Sequence, residues 1–351
     1  MANLGWEEEL AGGTRPGERA LSRRARSVVA SAAGWLRLLA RDGDRLWVPD
    51  AGDGFERAAA GDDDLPWPRV RLEAGPASGI APAAEVLAWG EGPGVAALRR
   101  GPRPPEASPA RRGPLLDALW SLAPAPPEVA AACHHRAFAL AAGEALQAER
   151  PREAGWALPG ARLVSSMGGL ERHLASGGAA AGGGRWVLKA PWSAAGRGRT
   201  AGAGPSDLGA PAVRRRVERL LERCGELLFE PWVDRLADFG AAALVTPEGV
   251  RRVGVHGQEV DRRGAVSAIT LDPEIESAEA ARLEAALDAV GRRLASAGYA
   301  GPFGVDAYRY RTPDGRVAFR PLGEVNVRMT FGLLAHLLDE RFGRRRLELR
   351  S

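Results

Sequence analysis

The sequence predicts an α+β protein, and three observations carry this prediction. Short apolar segments bounded by Gly or Pro have the composition of strands, as in "RWVLKAPW" and "ELLFEPWVD". Other segments have the apolar spacing of amphipathic helices, as in "APAVRRRVERLLERCG" and "AEAARLEAALDAVGRRLASAGY". In the second half, successive strands are joined by Gly-containing turns, which is typical of an antiparallel sheet.

Residues 26–125 are predicted to form a smaller α/β unit, and the first elements of the second domain follow it. Two strands are expected at "RLWVPD" and "AEVLAWG", followed by a surface loop at "RRGPRPPEASPARRGP". One long helix is expected after the prolines that begin "PPEVAAACHHRAFALAAGEALQAER". The segment "ARLVSSMGGLERHL" then predicts a strand, a turn and the start of a helix.

The second half predicts a mixed set of strands and helices. After the strand "RWVLKAPW" and the loop "SAAGRGRT" come a helix, a strand and the antiparallel strands of "FGAAALVTPEGVRRVGVHGQEVDRRGAVSAI". A helix, the hairpin "GPFGVDAYRYRTPDGRVAFRPLGEVNVRMT" and the closing helix "FGLLAHLLDERF" complete it. We therefore expect a tail over 1–25, either loose or an added helix, a first domain over 26–125 and a second over 126–351.

Composition excludes several function classes. The net charge of +4 comes from 48 Lys and Arg scattered among 44 acids, and no nucleic-acid motif is present, so we expect no nucleic-acid partner. Cys133 and Cys224 lack metal-ligand spacing, which favours a reduced, cytoplasmic protein. "MANLGWEEEL" has no apolar signal region, and no apolar run is long enough to span a membrane.

One lysine stands out in a chain that otherwise uses arginine for every positive charge. Lys189 ends a predicted strand, and a loop containing Ser193, Gly196, Arg197 and Gly198 follows. Glycines let a backbone approach phosphates closely, and an ammonium suits a phosphate oxygen better than the larger guanidinium does. The segment predicts a phosphate-binding loop, although it is not a P-loop, because the lysine precedes the glycines. The alternative is a surface lysine before an irregular loop.

The C-terminal hairpin carries a second group of polar residues. Glu324 and Asn326 lie two apart on one strand and so share a face, with Asp306 on the neighbouring strand. Asn326 is one of only two asparagines in the chain. Two carboxylates and an amide oxygen suit Mg²⁺. Arg328 continues the same face, where it would neutralise the charge of a transferring phosphoryl group or of an acyl-phosphate intermediate. The alternative is an exposed hairpin with alternating polar residues.

A third segment, "ELLFEPWVD", predicts a hinge between two sheets. Its backbone at Trp232 and Val233 would bind an adenine edge, and Glu230 would accept from the exocyclic amine. Asp238 would reach the ribose hydroxyls. The alternative is a strand edge with a solvated acid.

In this order, the pieces resemble the ATP-grasp superfamily. The pattern is a strand lysine (Lys189), a Gly-rich loop ("SAAGRGR"), a hinge glutamate (Glu230), a late-strand aspartate (Asp306) and an E-x-N-x-R strand ("EVNVR"). The resemblance covers about 130–340. It implies an ATP-grasp fold, in which two α+β subdomains sandwich ATP, preceded by a small α/β domain.

The resemblance also implies an activity: an ATP- and Mg²⁺-dependent ligase that joins a carboxylate to an amine or thiol through an acyl-phosphate. Lys189 and Arg328 would be catalytic, Asp306, Glu324 and Asn326 would hold Mg²⁺ or Mn²⁺, and the partners would be small molecules, with a homodimer possible. A kinase on the same scaffold and a non-catalytic nucleotide-binding module remain alternatives.

The sequence departs from the superfamily pattern in two places. Val327 stands where many members have proline. Many members also have an earlier lysine that contacts the nucleotide, and this chain has none; Arg162 and Arg172 are the candidates to replace it.

The histidines of the chain carry weaker signals. His134 and His135 are adjacent on a predicted helix and so face different directions, which favours surface or core roles over metal binding. His256 and Gln258 share a strand face that is expected to look into the cleft.

Overall fold

The computed structural model describes residues 6–10, 33–48, 65–74, 86–99, 113–193, 198–260 and 266–349. Within these ranges, helices and antiparallel sheets combine as the sequence predicts, and the α+β class is confirmed. The helices are α1 (Trp6–Leu10), α2 (Pro93–Leu98), α3 (Pro114–Ser121), α4 (Pro127–His134), α5 (Arg136–Glu149), α6 (Met167–Ala175), α7 (Pro211–Cys224), α8 (Ser277–Ser296) and α9 (Phe331–Phe342). None of these helices has the length and apolar character needed to cross a membrane.

The strands form three sheets. They are β1 (Arg45–Val48), β2 (Arg71–Ala74), β3 (Arg162–Val164), β4 (Trp186–Lys189), β5 (Arg199–Gly202), β6 (Leu227–Pro231), β7 (Asp234–Thr246), β8 (Gly249–Val260), β9 (Val266–Thr270), β10 (Gly301–Arg311), β11 (Val317–Asn326) and β12 (Arg346–Glu348). The small sheet has the order β3-β6-β4-β5 and the large sheet the order β11-β10-β7-β8-β9-β12. Both are antiparallel, and β1 and β2 form a separate parallel pair.

Side chains alternate between the two faces of the small sheet, and the charged residues of its central strands share one face with Val187 and Leu228. Trp186, Leu188 and Phe229 are fully buried and join the core that α6 and α7 form against the sheet. Lys189 and Glu230 lie on the opposite face. The strand alternation therefore frees this face for chemistry.

The large sheet is the centre of the main core. In its strand β7, the run 239–245 is buried throughout, which is expected for a strand covered on both faces. The long helix α8 packs against it through apolar residues that include Leu283, Leu287 and Leu294. At its start, Glu276 and Glu279 form a capping box that satisfies backbone N–H groups.

A very short connection links the two sheets. Strand β6 ends at Pro231 and β7 begins at Asp234, so Trp232 and Val233 alone lie between them. The backbone N–H of Trp232 donates to the carbonyl of Arg185 at 2.9 Å and fixes this segment to the small sheet. The polar faces of the two sheets therefore meet at a cleft beside this connection.

The structure corrects two predicted elements. Residues of "AEVLAWG" within 86–90 form no strand; Trp89 instead accepts a hydrogen bond from the backbone of Met329 at 2.8 Å, and the second strand lies at Arg71–Ala74. The long predicted helix is two helices, because His135 adopts an extended backbone and its ring accepts from the N–H of Ala137 at 3.1 Å.

The first 125 residues are partly described. Their buried residues, such as Leu38 and Leu116, belong to the same core cluster as the large sheet. In the predicted tail, Trp6–Leu10 forms a short helix with Trp6 fully buried, as the added-helix alternative expects. The domain boundaries near 25 and 125 remain predictions.

Candidate functional site

Lys189 lies at the end of β4, with its ammonium directed into the cleft. It forms an ion pair with Glu230 on the adjacent strand β6. The side chain of Lys189 is 16% exposed and that of Glu230 is 5% exposed. Burial lowers the pKa of Lys189, and Glu230 opposes that shift. Burial alone raises the pKa of Glu230, but Lys189 and Arg320 hold it well below its usual range, so the carboxylate stays ionised.

Arg320 connects this pair to the large sheet. Its Nη1 lies 2.8 Å from Glu230 and donates to the hydroxyl of Tyr308 at 2.9 Å, while its Nε donates to the carbonyl of Leu322 at 2.9 Å. Arg320 is 6% exposed. Because the guanidinium is buried and contacts strands of both sheets, it joins the two sheets at this point.

The three residues predicted as metal ligands come together on the hairpin β10–β11. Asp306 lies opposite Glu324 in the register, and Asn326 lies two residues further along β11. The Nδ2 of Asn326 donates to Asp306 Oδ2 at 2.9 Å, and the Nε2 of Gln258 donates to Asp306 Oδ1 at 2.9 Å. Gln258 thus faces this group, as predicted.

The electrostatics of the two carboxylates differ. Burial and the nearby charge of Glu324 raise the pKa of Asp306 to about 6. Burial also raises the pKa of Glu324, but Arg136 and then Lys189 outweigh it and lower that pKa to about 2. Asp306 therefore lacks a cationic neighbour strong enough to offset its burial. A divalent cation between the two carboxylates would supply that charge, and the two carboxylates fit Mg²⁺. Asn326 would join them as a ligand by turning its amide, because its Oδ1 accepts from Arg328 and its Nδ2 faces Asp306.

Sequence reasoning missed Arg136, the first residue of α5. Its Nη1 lies 2.9 Å from Glu324, its Nε donates to the carbonyl of Ala190 at 3.0 Å, and its Nη2 donates to the carbonyl and hydroxyl oxygens of Ser193 at 3.0 and 3.2 Å. The guanidinium of Arg136 therefore joins the segment after Lys189 to Glu324, one of the predicted metal ligands. Arg162 and Arg172, by contrast, are exposed.

A sequence signal for Arg136 existed but is weak. The doublet "HH" interrupts an Ala-rich run immediately before it, at the point where one helix ends and the next begins. A break there places a basic residue in the first turn of α5. Without that break, the continuous helical pattern gives the arginine no special position.

The predicted phosphate loop is described at its two ends. Ser193 accepts the hydrogen bond from Arg136, and Gly198 has the left-handed φ of +63° that favours glycine. The carbonyl of Gly198 accepts from the N–H of Ala190 at 2.8 Å, which closes the loop beside Lys189. Gly196 and Arg197 lie outside the described residues.

Arg328 follows the metal-type residues on the same chain segment. Its Nη2 donates to Asn326 Oδ1 at 3.1 Å and its Nη1 donates to the carbonyl of Met329 at 2.9 Å. The guanidinium carbon lies 5.1 Å from the ring centroid of Trp89. Arg328 is thus adjacent to the predicted metal ligands, at the end of the group away from Glu324.

The predicted adenine and ribose residues lie at the connection between the sheets. Trp232 is half-buried, with Arg199 5.6 Å from its ring centroid, and Val233 is buried. Asp238 Oδ1 accepts from Arg235 Nη1 at 2.8 Å. The carboxylate of Glu230 points to Lys189 and Arg320, so its predicted hydrogen bond to an adenine amine would have to be made alongside these ion pairs.

The histidines have structural positions. The ring of His134 is buried and its Nδ1 accepts from the N–H of Val327 at 3.2 Å. His256 lies on the same sheet face as Asp306, in register with it through Gly240, but it is 3% exposed and packs against Gly332 at the start of α9. Among the described residues, no group of three or more His, Cys, Asp or Glu side chains is placed to hold a metal.

Comparisons with known proteins find structural neighbours only. No family model matches the sequence, and no curated protein matches it. N5-carboxyaminoimidazole synthetase from Staphylococcus aureus, complexed with ADP, is 10% identical, with a TM-score of 0.46, 75% of this chain covered and 67% of that one. D-alanyl-alanine synthetase A from Vibrio cholerae is 12% identical, with a TM-score of 0.44 and 63% of each chain covered.

Biotin carboxylase from Campylobacter jejuni, in a β,γ-ATP complex, is also 12% identical, with a TM-score of 0.44, 62% of this chain covered and 48% of that one. This chain spans about half to two thirds of the lengths of these structures. The matched structures are ATP-grasp enzymes, the superfamily that the sequence motifs resemble. A likeness of this size identifies no substrate and no activity.

Proposed function

We propose that this protein is an ATP- and Mg²⁺-dependent ligase that joins a carboxylate to an amine or a thiol. One observation carries the proposal: Arg136 donates to the backbone next to Lys189 on the small sheet and pairs with Glu324 of the Asp306–Glu324–Asn326 group on the large sheet, where the charge of Lys189 also lowers the pKa of Glu324. A cationic phosphate site opposite a hard oxygen site is the arrangement that a metal-bound nucleoside triphosphate requires.

The nucleotide would lie along the connection between the sheets. Lys189, Arg136 and the loop from Ser193 to Gly198 would hold the phosphates. Arg136 would take the role that an earlier lysine has in many ATP-grasp members. Glu230 keeps Lys189 in the cleft until a phosphate replaces it as the partner. The backbone of Trp232 and Val233 would take the adenine edge, and Asp238 the ribose.

Asp306, Glu324 and Asn326 would hold Mg²⁺, or Mn²⁺, which accepts the same donors. When bound, the ion neutralises negative charge on the phosphate oxygens. Glu324 would then exchange Arg136 for the metal, and Arg136 would turn its donors to the phosphates. The chain thus keeps Glu324 paired both with and without nucleotide, which avoids an isolated buried carboxylate.

The reaction would proceed in two displacements. A carboxylate oxygen of the substrate attacks the γ-phosphorus of ATP, the bond to the β,γ-bridging oxygen breaks, and ADP leaves with an acyl-phosphate formed. An amine or thiol then attacks the acyl carbon and loses its proton to solvent, and the carbon–oxygen bond to phosphate breaks to release inorganic phosphate. Arg328, beside Asn326, would stabilise the charge of the acyl-phosphate.

Phosphorus NMR of the full chain with Mg-ATP and a pool of amino acids, small carboxylates and amines tests this proposal. A ligase gives ADP and inorganic phosphate in a pool-dependent way. A kinase gives ADP and a new phosphoryl resonance without free phosphate, and a binding module leaves ATP intact; either result would contradict the proposal. The small-molecule partners, a cytoplasmic location and a homodimer remain predictions.

A further inference from the structure

A glutamate of helix α1, Glu7, forms an ion pair with Arg328. Oε1 of Glu7 lies 2.9 Å from Nε of Arg328. Glu7 is 2% exposed, which is rare for a glutamate unless it is paired. This contact joins two residues more than 300 positions apart in sequence, and the proposed reaction does not need it.

Neighbouring contacts anchor the helix at that position. Trp6 is fully buried, its ring centroid lies 5.0 Å from that of His134, and it fills the space beside Gly90, where an added Cβ would lie 2.3 Å from the indole. His134 Nε2 is 4.0 Å from the Glu7 carboxylate, but burial, followed by the charge of Arg328, lowers the pKa of His134 to about 3. The imidazole is therefore neutral, and Arg328 supplies the positive charge for Glu7.

The guanidinium of Arg328 lies between Glu7 and a proposed metal ligand. Nη2 of Arg328 touches Asn326, one of the proposed metal ligands, and Nη1 is taken by a backbone carbonyl. The Nε atom of the guanidinium faces Glu7 at ion-pair distance, and among the described residues neither Nε nor Glu7 Oε1 has a hydrogen-bond partner. Guanidinium groups pair with carboxylates, so a substrate carboxylate or acyl-phosphate at Arg328 would compete with Glu7.

We propose that Glu7 is an internal carboxylate that occupies the substrate-carboxylate position at Arg328, so that α1 caps this end of the cleft. The inference rests on the proposed function for the identity of the competing ligand. The α1 segment must release Arg328 before a substrate carboxylate binds there. The opposing interpretation is that Glu7 orients Arg328 for catalysis and stays in place.

Acetate binding to the full-length Glu7→Ala variant tests the occupancy. This substitution removes the carboxylate and one methylene of Glu7, and acetate has the same size. We expect calorimetry without nucleotide to show saturable acetate binding to Glu7→Ala, and binding at least about tenfold weaker to the wild type. The neutral isostere acetamide should not bind. Glu149→Ala, which removes an exposed glutamate, should behave like the wild type.

Two results would overturn the proposal: no acetate binding to folded Glu7→Ala, or equal binding to the wild type. If Glu7→Ala does not fold, Glu7→Gln keeps the shape of the side chain and removes its charge. Hydrogen exchange at residues 6–10 should then be at least about tenfold faster than in the wild type, and unchanged exchange would contradict the proposal.

The acetate and hydrogen-exchange measurements use no ATP and no turnover. A negative result in them therefore does not contradict the ligase proposal, and they can be interpreted even if the phosphorus NMR experiment shows no ligase activity. Once substrates are known, kinetics adds a further distinction. An occupant predicts that Glu7→Gln lowers KM for the carboxylate substrate with kcat unchanged. A positioning role predicts a lower kcat, which would contradict the proposal.

Discussion

Arg136 contacts both sheets at the candidate site and is expected to stabilise the arrangement of its residues. It pairs with Glu324 and donates to Ala190 and Ser193, so both sides of the cleft depend on it. Arg136→Ala should lower the free energy of unfolding by about 1–3 kcal/mol, because the Glu324 carboxylate and two carbonyls lose their donors.

Denaturant unfolding of Arg136→Ala measures this loss, with Arg152→Ala as the control, since Arg152 is an exposed arginine shortly after the same helix. Titration with Mg-ATP should show weaker binding to Arg136→Ala alone. Equal stability and equal affinity in both variants would show that Arg136 does not organise the site.

The buried histidines determine how stability depends on pH. Burial and the nearby His336 lower the pKa of His256 from 6.5 to about 3, and His134 has a similarly lowered pKa. Below pH 6.5 the unfolded chain binds protons that the folded chain does not, so each histidine should lower the free energy of unfolding by about 1.4 kcal/mol per pH unit as the pH falls. Asp306, with its raised pKa, acts in the opposite direction between about pH 6 and 4.

Denaturant unfolding at several pH values between 6.5 and 4.5 tests this in the wild type and in His256→Asn. In the variant, the slope of the free energy of unfolding against pH should change by the contribution of one histidine, about 1.4 kcal/mol per pH unit, and the contributions of the other groups should be the same in both proteins. Identical slopes in the two proteins would mean that His256 is protonated in the fold.

At this scale, the predictable residues were those whose type or spacing is unusual. Lys189 is the only lysine, and Glu324 and Asn326 share a strand face by simple alternation. Arg136, one of 47 arginines, is marked only by the weak signal of the histidine doublet before it, and Glu7 lies in an acidic run. Their positions depend on contacts between distant parts of the chain, which a sequence pattern does not contain.

The connection between the sheets is packed closely against the small sheet. Gly182, in the turn before β4, packs against it: an added Cβ would lie 2.7 Å from the backbone nitrogen of Trp232. Backbone atoms move less readily than a flexible side chain. Gly182→Ala should therefore lower the free energy of unfolding by about 1–3 kcal/mol.

Gly209→Ala is a matched control, because nothing lies within 4 Å of a Cβ added there. Denaturant unfolding of the two variants should separate them by the predicted amount. Equal stabilities would mean that the connection shifts to accommodate the methyl group and does not hold the sheets at a fixed angle.

Element predictions succeeded where local pattern and final contacts agree. The strands β7 to β11 and helices α7 to α9 follow their apolar periods, and tertiary packing reinforces them. The single helix predicted across His135 was wrong, because the Ala-rich segments on both sides favour helix and the histidine doublet between them is only a weak signal for a break. The break is stabilised by a long-range bond, from the N–H of Arg136 to the carbonyl of Pro191 at 3.2 Å.

At the scale of the whole molecule, the order of motifs along the chain predicted which groups would meet across the cleft. Lys189 and the hairpin residues lie on different sheets, and the ion pairs from Glu230 to Arg320 and from Arg136 to Glu324 join those sheets. One of the two strands predicted before residue 125, "AEVLAWG", was wrong over its described residues 86–90, where Trp89 accepts a hydrogen bond from the distant Met329 instead.

Calorimetric titration of ATP, with and without Mg²⁺, tests the central claim most directly. The wild type should bind Mg-ATP more tightly than free ATP. Lys189→Ala should bind both at least about tenfold more weakly, through loss of the phosphate contact. Glu324→Gln should keep its fold and lose the advantage of Mg²⁺, and Arg162→Ala, an exposed arginine on the same small sheet, should match the wild type. Wild-type affinity in Lys189→Ala, or an undiminished Mg²⁺ effect in Glu324→Gln, would contradict the account.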